Sequence, residues 1–243
     1  MRVIVTADGS KTLLGTAFDE AYGSRHGALT EALHVFLDGS GVRSRLAAGR
    51  PTSVLEVGFG TGLNFLVSAA TACDHGVHLR YTALERDLPD ATTLRDVYVG
   101  TTLPAPLVDD VIAWVDRLGA PPADGTYTLD LAPRGPVALE LVIGDARAIS
   151  ERDAPARLRV TPPPFDAIYL DAFSPKTNPE LWTQGFLTAL ADRLAPGGTL
   201  VTFSVSGAVR RALLTAGLEV VKLPGPPGGK REMLAARRPT TRP

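Results

Sequence analysis

EVGFGTGLNF, residues 56–65, joins a predicted strand to a predicted helix through three closely spaced glycines, and it sets the class of fold. The apolar run SVLEVG predicts a buried strand, and LNFLVSAATAC after it predicts a helix. Glycine lets the backbone turn tightly and approach a ligand closely, and the first turn of a helix offers free N–H groups. The loop is therefore typical of a ligand site in an α/β protein, with a purely structural turn as the alternative.

Strands and helices alternate along most of the chain. Further strands are predicted for LRYTALE, TYTLDL, VALELVIG, AIYLD, GGTLVTFSV, LEVVKLP and REMLAARR, and helices for 28–37, 107–118, ELWTQGFLTALADRL and VRRALLTAG. This order predicts an α/β, Rossmann-like fold with a mostly parallel seven-stranded sheet, one antiparallel strand and helices on both faces. We expect a single domain over 1–243, in which 1–50 form an N-terminal hairpin and helix extension and 51–243 a core with a basic C-terminal end.

Acidic residues end two of the predicted strands. Glu85 closes LRYTALE and Asp145 follows VALELVIG, so both should meet the glycine loop at one edge of the sheet. There Glu85 can accept hydrogen bonds from ribose hydroxyls and Asp145 from an adenine amino group. The G-x-G-x-G spacing, with an acid before it, resembles the S-adenosyl-L-methionine loop of class I methyltransferases rather than a dinucleotide fingerprint. Each acid alone would be a surface residue or a helix cap, but together they predict this cofactor.

A third acid, Asp171, follows the apolar strand in FDAIYLDAFSPKTNPELW, residues 165–182. Its position predicts that it faces the same crevice, next to the activated methyl group. A carboxylate there can orient a substrate amine and accept the proton that the amine loses before it attacks. Alternatively, Asp171 caps the following turn with Ser174 and the backbone. The hypothesis favoured here is that Asp171 is the catalytic residue of an amine methyltransferase.

Composition limits the remaining classes. The chain has 243 residues, one cysteine and no apolar run long enough for a membrane span, which predicts a cytoplasmic protein with no metal site and no membrane partner. Its net charge of −1 divides unevenly, because residues 204–243 contain eight Lys/Arg against two Glu. This basic end indicates an anionic partner or, equally, a solvated tail.

The motifs together are similar to one family. DAFSPKTNPELWT, PGGTLVTFSVSGAVRRALLTAGLEV, GGKREML, the early FDEAYGSRHGALTEALHVFL and the glycine loop resemble the methyltransferase domain of the MnmC enzymes, which modify the wobble uridine of tRNA. The resemblance covers about 8–236. It implies methyl transfer from S-adenosyl-L-methionine to the amine of 5-aminomethyl-2-thiouridine in the anticodon of tRNA. It includes no flavin oxidase domain, so a separate enzyme would supply the aminomethyl group.

The resemblance also implies roles for individual residues. The methionine part of the cofactor would be held by Glu56, Gly58, Gly60 and Gly62, the ribose by Glu85 and the adenine by Asp145, with Asn64 and Ala146 beside them. Tyr22 and Ser24 would close the site over the substrate, and its wall would be formed by Phe173, Pro175, Lys176 and Asn178. Lys230 and Arg231 would meet the anticodon phosphates.

Three alternatives share parts of this pattern. A methyltransferase acting on a small-molecule amine would have the same cofactor site but no functional basic end. An aminopropyltransferase would need additional acids around a polyamine, which the basic end disfavours. A non-catalytic module would bind the cofactor without using Asp171, so replacing that residue separates it from the enzymes.

Overall fold

The strands in the described part of the chain form two sheets of unequal size. The computed structural model describes residues 1–15, 20–119, 122–150 and 164–240. At the N-terminus β1 (Arg2–Val5) and β2 (Lys11–Leu14) form the predicted antiparallel hairpin. The larger sheet comprises β3 (Thr52–Val57), β4 (Leu79–Glu85), β5 (Gly125–Asp130), β6 (Val137–Ile143), β7 (Phe165–Leu170), β8 (Leu194–Thr202), β9 (Glu219–Pro224) and β10 (Glu232–Arg237).

The large sheet has the order β5-β6-β4-β3-β7-β8-β10-β9. Its central strands are parallel, and β10 runs antiparallel between β8 and β9. These features confirm the predicted Rossmann-like α/β fold and the inserted antiparallel strand. The count of seven strands was wrong, because β5 adds an eighth, antiparallel strand at the other edge. The segment TYTLDL did predict this strand, but the strand was not added to the total.

Helices cover both faces of the large sheet. They are α1 (Ala28–Glu31), which continues as a π-helical segment (Ala32–Asp38), then α2 (Val42–Ala47), α3 (Leu63–His75), α4 (Ala91–Tyr98), α5 (Ala105–Leu118), α6 (Gln184–Ala191) and α7 (Gly207–Thr215). One apolar core packs between the sheet and the side that includes the π-helical segment, α3 and α5, and a second lies beneath α6 and α7. In the described part of the chain, no helix combines the length and apolarity that crossing a membrane requires.

Asp8, in the turn between β1 and β2, joins the N-terminal hairpin to α1 through hydrogen bonds. Its Oδ2 accepts hydrogen bonds from the backbone N–H and the hydroxyl of Thr30, at 2.9 and 2.7 Å. Although partial burial opposes it, hydrogen bonding from Ser10, Thr6 and Thr30 holds the pKa of Asp8 below its ordinary value, so the carboxylate stays charged. The predicted division of a single domain at residue 50 stays a prediction, but these hydrogen bonds join the hairpin to α1 within the N-terminal segment.

Candidate functional site

A cavity of about 530 Å³ lies at the carboxyl ends of the parallel strands, within the size range typical of small-molecule sites. It is lined by ten of the predicted site residues: Tyr22, Gly58, Gly60, Asn64, Glu85, Asp145, Ala146, Asp171, Phe173 and Asn178. The other seven do not line it: Glu56, Gly62, Ser24, Pro175, Lys176, Lys230 and Arg231. The structure thus brings six of the eight predicted cofactor residues and the predicted catalytic acid to one cavity.

The glycine loop is held between β4 and β7. Gly58 has φ 92°, and a Cβ at this position would lie 2.6 Å from the backbone oxygen of Asp171. Only a residue without a side chain therefore allows the loop to pass so close to the end of β7. Gly60 donates its N–H to Glu85 Oε2 at 2.7 Å, which joins the loop to the end of β4.

Glu85 and Asp145 end neighbouring strands on one side of the cavity. Glu85 Oε1 accepts the N–H groups of Arg86 and Asp87, at 2.7 and 2.8 Å, so the turn after β4 fixes its carboxylate. Burial nevertheless raises the pKa of Glu85. Asp145 accepts from the Arg147 guanidinium at 2.9 Å, and that hydrogen bond lowers its pKa. Glu85 retains an acceptor position for a ligand hydroxyl group, whereas both oxygens of Asp145 already accept from Arg147, so a ligand amino group would share Asp145 with that residue.

Asn64 links the predicted catalytic acid to a fully buried one. Its side-chain amide donates to Asp171 Oδ2 and to Glu56 Oε1, at 2.8 Å each, while the hydroxyl of Tyr81 donates to Glu56 Oε2 at 2.9 Å. Glu56 is 1% exposed, so it supports the cavity through Asn64 instead of forming the predicted direct contact with the methionine part. Gly62 packs against the Phe59 ring outside the cavity wall.

Burial is the largest influence on the pKa values of Glu56 and Asp171. It raises the pKa of Glu56 to about 8, and Glu85 adds to the shift while Asn64 and Tyr81 oppose it. The pKa of Asp171 is raised well above its ordinary value by burial and by the charges of Glu31 and Glu56. A carboxyl with a raised pKa is a stronger base once it is deprotonated, which suits proton removal from an ammonium group.

Glu56→Gln is expected to remove a pH dependence of stability. Because the pKa of Glu56 is higher in the folded than in the unfolded chain, the wild type loses stability as pH rises from about 4.5 to about 8. The slope from this single group is at most about 1.4 kcal/mol per pH unit. Urea unfolding at several pH values should show that slope in the wild type and a flatter profile in the variant. Equal profiles would contradict the raised pKa of Glu56.

The loop after Asp171 is anchored to the N-terminal segment. The Ser174 N–H and hydroxyl donate to the two carboxylate oxygens of Glu20, at 3.0 and 3.1 Å. The indole of Trp182 donates to the backbone oxygen of Phe173 at 2.9 Å, and the Phe173 ring meets the ring of Tyr22 edge to face at 5.2 Å between centroids. Tyr22 and Phe173 therefore form one aromatic wall over the cavity, as a substrate-closing segment requires.

The remaining predicted substrate residues lie around this wall. Ser24 donates its backbone N–H to Glu31 Oε2 at 2.9 Å instead of facing the cavity. Lys176 is exposed beyond the cavity, and Pro175 lies next to it in the same loop. Lys230 is exposed outside the cavity lining, and its Nζ lies 4.1 Å from the centroid of the Phe203 ring. Arg231 is exposed beside it.

Glu31 and Phe203 line the cavity although sequence analysis did not select them. Glu31 lies on α1 and is 9% exposed, and Phe203 follows β8. The sequence offered one signal for Glu31. It is spaced three residues after Ala28 and four before Val35, both buried, so an acid interrupts the apolar face of the helix. Phe203 carried no comparable signal.

The polar groups of the cavity fit S-adenosyl-L-methionine. Glu85 and Asp145 present carboxylates at adjacent strand ends for ribose and adenine, and the Gly58–Gly60 backbone passes close to the cavity between Glu85 and Asp171. Among the residues that the structure describes, no three His, Cys, Asp or Glu side chains are grouped as a metal site would require.

Comparisons with known proteins agree with this geometry. A family model described as S-adenosyl-L-methionine-dependent methyltransferase matches residues 120–239. The chain is 36% identical over 242 residues to the tRNA 5-methylaminomethyl-2-thiouridine biosynthesis bifunctional protein MnmC of Aromatoleum aromaticum, covering 97% of this chain and 35% of that protein. It is 37% identical to the protein of that name from Ralstonia nicotianae, covering 94% of this chain and 33% of the relative.

A solved structure supports the same relationship. The crystal structure of MnmC2 from Aquifex aeolicus superposes with a TM-score of 0.73 at 28% identity, covering 100% of this chain and 71% of that one. The chain spans about one third of the length of the bifunctional relatives. Similarity over nearly all of this chain therefore corresponds to only part of each relative.

Proposed function

Because the chain belongs to the S-adenosyl-L-methionine-dependent methyltransferases, we propose that it methylates the amine of a 5-aminomethyl-(2-thio)uridine at the wobble position of tRNA. The observation that carries this proposal is the placement of Asp171, which ends β7 in the same cavity as the glycine loop. The similarity to the MnmC relatives, which are tRNA 5-methylaminomethyl-2-thiouridine biosynthesis proteins, supports this choice of substrate.

Under this proposal some residues of the cavity bind the cofactor, and Asp171 binds the substrate amine and accepts its proton. The cofactor, when bound, supplies a methyl group activated by a positively charged sulfur. Glu85 would hold its ribose and Asp145 its adenine, while Asp171 would hold the substrate amine and accept its proton. Because methyl transfer is an in-line displacement, holding the two reacting atoms together supplies much of the rate. Asn64 keeps the Asp171 carboxylate in place through a 2.8 Å hydrogen bond.

The basic end supports a nucleic-acid substrate. Arg231 is exposed next to the loop that carries Lys230 over Phe203, so it is positioned for a phosphate outside the cavity while the base enters. Tyr22 and Phe173 offer aromatic surface to such a base. Under this proposal the protein acts in the cytoplasm on tRNA whose wobble uridine already carries an aminomethyl group, and a separate reaction has to install that group.

Transfer of labelled methyl from S-adenosyl-L-methionine tests the proposal. The acceptors compared are tRNA with aminomethyl-uridine at the wobble position, the same tRNA with unmodified uridine, and simple primary amines. Label on the wobble base of the first acceptor alone would support the proposal. Label on the amines but not on tRNA would favour a small-molecule methyltransferase, and cofactor binding without any transfer would favour a non-catalytic module.

Arg231→Ala is expected to weaken tRNA binding without changing the chemical step. Removing one phosphate contact should reduce the slope of log affinity against log salt by about one and leave kcat at saturating tRNA unchanged. Binding measured at several salt concentrations would show this, with Arg117→Ala on α5 as a matched control for lost surface charge. If the slope of log affinity against log salt were the same for the wild type, Arg231→Ala and Arg117→Ala, a phosphate contact by Arg231 would be excluded.

A further inference from the structure

We propose that Glu31 and Phe203 belong to the amine site itself, where they bind the ammonium form of the substrate together with Asp171. This inference rests on the proposed amine methylation and goes further, because it names the groups that select a cationic substrate. All three side chains line the cavity, although they come from α1, from the end of β8 and from the end of β7.

Glu31 is a buried acid whose hydrogen bonding is incomplete. Its Oε2 accepts the Ser24 N–H at 2.9 Å, which is the single hydrogen bond of this carboxyl among the residues that the structure describes. An ionised carboxylate that is 9% exposed needs a counter-charge or several donors to offset the loss of hydration. The cavity is where such a cation can approach, since Glu31 forms part of its wall.

The Phe203 ring already accepts one ammonium group, that of the exposed Lys230. Its Nζ lies 4.1 Å from the centroid of the Phe203 ring, within the range of a cation–π contact. Burial raises the pKa of both Glu31 and Asp171, and the charge of the Lys230 ammonium opposes that rise at both carboxyls. Phe203 and the two acids line the cavity, whereas Lys230 does not, so the cavity side of this group offers a position for the primary ammonium of a substrate.

The chemistry of the substrate fits that position. A primary amine is an ammonium at neutral pH and has no lone pair with which to attack, so it must first give one proton to Asp171 or Glu31. The neutral nitrogen then forms a bond to the methyl carbon as the carbon–sulfur bond breaks and its electrons pass to sulfur. The product is a secondary ammonium, which again carries one positive charge, and the carboxyl releases its proton to solvent.

A purely structural role for Glu31 predicts different behaviour. In that case it would hold only the Ser24 N–H, or only Lys230, and its loss would loosen the N-terminal segment. Glutamine at position 31 keeps an acceptor for Ser24 but removes the negative charge. Lys230→Met removes the ammonium but leaves Glu31 in place. These two substitutions, alone and combined, separate the structural role from direct recognition of the substrate.

The experiment measures steady-state methylation of tRNA with aminomethyl-uridine and, separately, the binding of S-adenosylhomocysteine by calorimetry. Glu31→Gln is expected to raise KM for the tRNA at least about 10-fold, in the Lys230→Met background as well. Phe203→Leu should raise KM about 3- to 30-fold, whereas Phe203→Tyr, which keeps an aromatic ring, should leave KM at the wild-type value. Binding of S-adenosylhomocysteine should stay unchanged, as should all values for Glu219→Gln, an exposed acid on β9.

The pH profile supplies a second readout. The groups facing Asp171 are Glu31 on α1, Glu56 on β3, Asn64 on α3 and Lys230 before β10, and His26 and Lys230 also act on Glu31. Because like charges raise each other's pKa, Glu31→Gln should move the acidic limb of kcat/KM to lower pH. The inference would be overturned if Glu31→Gln changed neither the acidic limb of kcat/KM nor KM for the tRNA. It would also be overturned if the effect of Glu31→Gln on KM disappeared in the Lys230→Met background. If wild-type protein methylates no aminomethyl-uridine tRNA, the proposed function itself fails.

Discussion

Asp171→Asn is expected to lower kcat for methyl transfer by about 10²–10⁴-fold, the usual contribution of a positioned general base. Asparagine has nearly the same shape, and its side-chain oxygen can still accept the Asn64 amide that donates to Asp171 Oδ2 at 2.8 Å. It cannot accept a proton from an ammonium group. The loss should therefore fall on the chemical step, with binding of S-adenosylhomocysteine retained, as single-turnover kinetics and calorimetry would show.

Stability should change in the opposite direction to activity. Burial, Glu31 and Glu56 raise the pKa of Asp171 in the folded protein, so the wild type loses stability as pH rises through that pKa. Asparagine has no charge to bury, and the variant should unfold at a higher urea concentration than the wild type at alkaline pH. A less stable and inactive variant would instead indicate that Asp171 serves the fold, as a cap of the following turn.

Local patterns predicted the fold and the cofactor side of the site. The strand-glycine-helix order around 56–65 and the acids Glu85, Asp145 and Asp171 at strand ends are local features, and parallel pairing brings their ends to one edge. The edge strand β5 was predicted from TYTLDL, but nothing in its sequence shows whether it joins the main sheet. That depends on the parallel pairing of β6 with β4.

The substrate side was harder to predict because it is assembled from distant parts of the chain. In the helical segment at 28–37, the apolar residues Leu29 and Leu33 are only partly buried, whereas the acid Glu31 is buried. A π-helical segment from Ala32 to Asp38 explains part of this difference, since it changes the angular spacing of side chains. Periodicity at 100° per residue cannot anticipate that change, and so Glu31 was missed.

Gly58→Ala is expected to reduce both activity and stability, and more severely than any other glycine substitution in the loop. A Cβ at position 58 would lie 2.6 Å from the Asp171 backbone oxygen and 3.0 Å from its carbonyl carbon. The backbone there cannot move freely, because Asp171 donates its N–H to Val57 at 2.9 Å and Gly58 donates to Leu84 at 2.9 Å. Displacing Asp171 by roughly 1 Å should lower kcat about 10²-fold.

Gly76→Ala is the matched control, since it separates the clash from the backbone strain. Gly76 also has a positive φ, 62° against 92° for Gly58, but a Cβ there would meet no atom within 4 Å. Alanine at 76 should cost about 1–2 kcal/mol of unfolding free energy from the left-handed conformation and leave kcat unchanged. Alanine at 58 should add the cost of the clash and lose activity, measured by urea unfolding and methyl transfer. If the two variants lost equal stability and kept equal activity, the close approach of the glycine loop to Asp171 would have no part in holding the catalytic acid.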